Sequence, residues 1–232
     1  MRSQIYLPQA TRRHHKQQID DFGWSYIERL QPTFEAIENE ADEAARQYYD
    51  RSMSDAAIDE RPDPWEIAET ATEKGLERYQ LLSLGEYTLA AAWHATLYEV
   101  FEQQLRLFLY TELSHYYELA FQNFCTDMDQ IADVFKQHDS DPTRLASWPE
   151  LVDLRLLCNV IKHSEGRSAS ELRARRPTLF RVHEEKPLLD LYRTTLLEIT
   201  LNINTGTFKN YVKRIHEFWD ALPERNYEIE KA

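Results

Sequence analysis

Arg155, Asn159 and His163 recur at steps of four residues. On a helix each such step leaves a residual rotation of only about 40°, so the three share a face. Lys162, seven positions after Arg155, returns to within about 20° of it on the other side. A guanidinium, an amide, an ammonium and an imidazole therefore gather toward a helix C-terminus, where the dipole favours protonated imidazole. These types suit metal-independent cleavage of an RNA phosphodiester. Arg155 would grip the phosphate and stabilise its developing charge, and His163 would move a proton to or from the 2'-hydroxyl or leaving oxygen. Asn159 would position the substrate beside them, and Lys162 and Arg167 would bind it as further cations. Glu102 and His94, on a preceding helical stretch, would orient the imidazole if their face met this one. The same residues also fit plain structure: Arg155 pairing with Glu150 or Asp153, Asn159 bonding a neighbouring helix, Glu102 and Arg106 forming an intrahelical pair.

The wording Leu154 to Gly166, LRLLCNVIKHSEG, resembles the HEPN superfamily, helical bundles of toxin–antitoxin and antiviral systems. Its RNases carry an Arg, four to six intervening residues, then His, and two protomers commonly pair into one composite site. The resemblance implies His163 as the catalytic histidine, Asn159 as the polar residue that follows the family arginine, RNA as substrate and a homodimer. It also implies a regulatory partner protein. The family arginine position, however, is Cys158, and Arg155 leaves seven intervening residues. Either Arg155 substitutes from one turn back, making an endoribonuclease, or the centre is lost and the bundle is a noncatalytic module binding a partner protein, nucleotide or RNA. Arg176 and His183 match the spacing literally, but Pro177 interrupts a helix there.

Other chemistry is poorly provided for. Five glycines in 232 residues leave little material for phosphate-cradling loops, and HExxH, CxxC, GxSxG and GxxxxGK[ST] are absent. Glu112 to His115 is a single ExxH where a di-iron bundle needs two. Adjacent His14 and His15 would point to different sides of a helix, so no metal and no cofactor is expected. A net charge of −13 opposes nonspecific binding to duplexes. Arg144 to Val182 runs against that balance, with eight basic and four acidic residues, and would draw a phosphate-bearing ligand. Cys125 and Cys158 read as free thiols, and with no leader or long apolar stretch the expectation is a cytoplasmic protein, not a membrane one.

The elements that must position these residues read as a mainly α fold, a helical bundle with a long central helix and a small C-terminal β-hairpin. Residues 1–222 read as one HEPN-like domain and 223–232 as a loose tail. Apolar residues from Phe22 to Tyr49 recur at three and four, with Pro32 kinking or restarting the helix. Ser54 to Asp63 reads as a loop. Trp65 to Phe124 carries the broadest apolar stripe, divisible at Gly75 and Gly85, and needs cover from other helices or a second copy of the chain. A shorter helix follows over Thr126 to Gln137. The site helix would open at Ser147 and Pro149 and close at Gly166. Leu179 to Val182 and Leu197 to Ile203 alternate as strands, and Thr205 or Thr207 would cap a last helix. The basic start of the chain reads as a mobile arm.

Overall fold

A computed structural model describes residues 2–55 and 63–229. Strand β1 (Gln4–Tyr6) leads into helix α1 (Gln9–Trp24), a π-helical stretch over Ser25–Leu30 and a 3-10 turn over Gln31–Phe34 that holds Pro32. Proline lacks the N–H an α-helix interior needs, so the chain restarts as α2 (Ile37–Asp55). Most of the loop expected over Ser54 to Asp63, and the last residues of the tail, lie outside the described residues.

Helix α3 (Pro64–Leu113) runs fifty residues without a break, opened by Asp63, whose side chain accepts from the Trp65 N–H. Gly75 and Gly85 do not divide it. A Cβ at Gly75 would stand 3.1 Å from the Ala41 carbonyl oxygen and from the Ala45 Cβ, so glycine there lets α2 pack closely. The C-terminal half of α3 supplies the core: Leu97, Phe101, Leu105 and Leu109 are fully buried. The chain's own helices cover this stripe. These are α1, α4 (Met128–Gln137), α5 (Trp148–His163) and α8 (Thr205–Ala221), with Phe135, Leu157, Phe208, Phe218 and Trp219 inside. No described helix is long and apolar enough to cross a membrane.

Between α5 and α8 lie α6 (Arg167–Arg175), a two-residue hairpin β2 (Val182–His183) and β3 (Lys186–Pro187), and the short α7 (Leu188–Tyr192). The segments expected to pair as strands do meet, through a single bridge of Phe180 to Leu201. Asn204 opens α8 by a reciprocal cap with Thr207.

Two expectations about the chain ends are corrected. Strand β4 (Arg225–Tyr227) pairs antiparallel with β1, Gln4 opposite Tyr227, so the tail from Pro223 is not loose over those residues. The N-terminal arm belongs to the core: Ile5 and Leu7 are buried, and so is Arg12, whose Nη2 donates to the Leu222 carbonyl that ends α8 while its Nε and Nη1 have no hydrogen-bond partner among the described residues.

His15 stacks on Trp219 with ring centroids 4.3 Å apart, its imidazole enclosed. His94 is wholly enclosed, its Nδ1 2.7 Å from the Ala90 carbonyl and its Nε2 2.9 Å from Thr207 Oγ. Burial, aided at His15 by neighbouring His14, holds both imidazoles down to about 4 from 6.5. The unfolded chain then takes up protons the folded chain refuses. Stability is full above about pH 6.5 and is lost as pH falls toward 4. By pH 5 the loss should reach about 2 kcal/mol per ring. Thermal unfolding between pH 7 and 5 checks this, and His15→Phe, which keeps the stack without a titrating ring, should flatten roughly half the slope. An unchanged slope in that variant would place the acid sensitivity elsewhere.

Candidate functional site

Helix α5 presents Arg155, Asn159 and Lys162 to a cleft of about 670 Å³ whose opposite wall is Tyr98, Glu99, Glu102 and Gln103 of α3. Asp127, Met128 and Asp129 close one end, and Arg167, Ser168 and Glu171 of α6 close the other. Sequence periodicity thus brings five of the seven expected site residues together: Arg155, Asn159, Lys162, Arg167 and Glu102.

The other two stand apart. His163 is exposed, makes no hydrogen bond and does not line the cleft. Eight helical positions separate it from Arg155, a rotation of about 80° and a rise of about 12 Å, so two harmless steps of four add up to a different outlook. Ser164, with φ +59°, ends α5 immediately afterwards. Gly166 does not close that helix; at φ +143° it precedes α6 in backbone geometry that suits glycine. His94 cannot orient His163, because it serves the α3–α8 contact against Phe208 and Tyr211.

Charge pairing also departs from expectation. Arg155 bonds neither Glu150 nor Asp153 but Asp129, at 2.8 Å. Lys162 bonds Glu99, which raises its pKa. Glu102 accepts from the Tyr98 hydroxyl at 2.5 Å, and Arg106 donates to the Phe124 carbonyl, so Glu102 and Arg106 form no pair. Of the eight basic residues between Arg144 and Val182, six have carboxylate partners. Among the described residues only Arg167 and Arg181 of that group have none. The local positive excess is therefore cancelled by acids from elsewhere in the fold.

Cys158, at the family arginine position, is 1% exposed, and its thiol faces the Ala95 carbonyl at 3.7 Å. Burial raises its pKa to about 11, so it is a neutral thiol at the base of the cleft. No group of three or more His, Cys, Asp or Glu residues suited to a metal occurs among the described residues.

Sequence reasoning missed Asp153 as a positioning residue. Its carboxylate is 2% exposed and receives Arg175 at 2.5 Å and Arg176 at 2.6 Å, one on each oxygen. That pairing fastens α6 against α5 and so sets Arg167 and Glu171 at the cleft rim. Two arginines shortly after an acid on the preceding helix were its only signal. No family model, curated protein or solved structure matches this chain.

Removing Asp153 leaves two guanidinium groups without their buried acceptor. Asp153→Ala should lower stability by about 1–3 kcal/mol in urea denaturation, since both guanidiniums keep access to water. Asp129→Ala, which breaks an exposed pair, should cost less than about 1 kcal/mol. Equal losses in the two variants would remove the special role of Asp153.

Proposed function

We propose that this chain is a noncatalytic, HEPN-like recognition module whose α3–α5–α6 cleft receives a basic segment of a partner protein. One observation carries the reading: five carboxylates (Glu99, Glu102, Asp127, Asp129, Glu171) face three cations in the cleft, and two of those cations are already paired. Such a wall repels phosphate and attracts lysine or arginine side chains, which would find Glu102 and Glu171 without competing ion pairs. The absence of any histidine from the lining leaves the cleft without the proton carrier that RNA cleavage asks of it. A module of this kind would act in a toxin–antitoxin or antiviral setting, as its resemblance implies.

A second reading, metal-independent endoribonuclease, draws support from the shared placement of Arg155, Asn159, Lys162 and Arg167 in one cleft. It requires the exposed His163 to act on RNA held there, or a second copy of the chain to bring an imidazole to it.

One pair of experiments separates the two. Fluorescence anisotropy with a labelled hexa-arginine peptide should show binding that weakens with added salt. The double variant Glu102→Gln, Glu171→Gln should weaken it by about three- to tenfold. Labelled total RNA incubated in EDTA should stay intact. RNA cut by the parent but spared by His163→Ala and Arg155→Ala would replace the module with the nuclease, and a peptide that does not bind would remove the proposed partner chemistry.

A further inference from the structure

A second pocket, of about 400 Å³, lies farther toward the N-terminus of α3, where Tyr79, Ser83, Glu86, Tyr87 and Ala90 face Tyr26, Arg181 and the chain from Ile199 to the first turn of α8. Its size falls within the ~300–1,000 Å³ common for small-molecule sites. From Ala90 to Tyr98 of the first cleft is a rise of about 12 Å along the helix, and no residue lines both.

Two features set this pocket apart. It is lined by three tyrosines, of which Tyr79 is 42% exposed, whereas Tyr26 and Tyr87, at 2% and 5%, offer it little surface. It also holds two opposite charges, the exposed Arg181 and the half-buried Glu86, that have no partner among the described residues. Among the described residues neither the Arg181 guanidinium nor the Glu86 carboxylate has a hydrogen bond or an ion pair, to each other or to anything else. Most other cations of the basic segment are paired within the fold, whereas Arg181, exposed where it lines the pocket, is left to solvent. The positive end of the seventeen-residue α8 opens beside it at Thr205. First-turn N–H groups lack intrahelical partners, and Asn204 occupies only that of Thr207.

Glu86 disfavours a plain anion here, and Arg181 with the helix end disfavours a plain cation. A ligand bearing both signs satisfies both, and an aromatic body suits the exposed ring of Tyr79. We propose that this pocket binds a small zwitterion with an aromatic body, of the aromatic α-amino acid class. Its carboxylate sits on Arg181 and the first turn of α8, and its ammonium sits on Glu86. Asn202, which lines the pocket, spends its amide N–H on the Thr178 carbonyl and keeps its side-chain oxygen as a further acceptor for the ammonium.

Calorimetry and saturation-transfer NMR on the whole chain test this with three probes: L-phenylalanine, 3-phenylpropanoate without the ammonium, and phenethylamine without the carboxylate. L-Phenylalanine should bind, and each half-charged relative should bind about tenfold or more weakly. Arg181→Met should reduce L-phenylalanine to the phenethylamine level while leaving phenethylamine itself unchanged, and Glu86→Gln should do the same relative to 3-phenylpropanoate. Both side chains are outside the core, and circular dichroism checks that the variants fold; the three-probe series on the parent decides the matter in any case. No binding of L-phenylalanine at roughly 10 mM, equal affinity for all three probes, or folded variants that bind as the parent does would each overturn the assignment.

Discussion

The burial of one side of α3 governs the rest of the molecule. A helix of fifty residues extends about 75 Å, longer than a domain of this size can enclose. Its two halves are accordingly covered in different ways. The half beyond Tyr87 carries large side chains and is wrapped by α1, α5 and α8, which share Phe101, Phe208, Phe218 and Trp219. The half before it buries only Ile67, Ala71 and Gly75, against the small residues of α2. Close approach of backbones replaces a thick apolar layer there, since a Cβ at position 75 would crowd Ala41 and Ala45 at 3.1 Å. Both pockets open along α3, one astride the change in cover at Tyr87 and the other beyond it.

Charge is arranged around the same spine. The net charge of −13 is not spread as a uniform coat. Carboxylates from α3, α4 and α5 neutralise the arginines and lysines of the segment from Arg144 to Val182, and the enclosed Asp153 takes two of them. A buried carboxylate is tolerable only with such full pairing. The consequence for chemistry is that the cations most visible in the sequence are the least available, whereas Arg167 and Arg181 keep theirs.

Much of the fold was legible because periodicity and burial are the same fact seen twice. The stripe from Leu84 to Leu109 and the restart at Pro32 follow from local rules, and the long helix and small β-elements came out as the mainly α fold expected; the last helix is capped by Asn204, not by the expected Thr205 or Thr207. The failures have a common cause, which is that local patterns do not reveal distant partners. Arg12 looks solvent-bound until Leu222 supplies a carbonyl. Residues 225–227 look loose until β1 supplies a strand. Helix α6 is polar and short, so nothing in its own residues announces it; Asp153 holds it. The shared face of Arg155, Asn159 and Lys162 was readable from spacing alone. Their paired state was not, since Asp129 and Glu99 lie 26 and 63 positions away.

The pairing of β1 with β4 bears on how the chain reaches this state. Gln4 cannot meet Tyr227, nor Ser3 the Glu228 carboxylate it donates to at 2.7 Å, until the ribosome has made more than two hundred intervening residues. Strand β1 also packs on α3, where the Tyr6 N–H donates to Glu112 at 3.0 Å, but the loop that brings β4 to it is long and closes late. Two segments so far apart in sequence pair after the helices between them have formed, so the β1–β4 seam fastens a bundle already assembled.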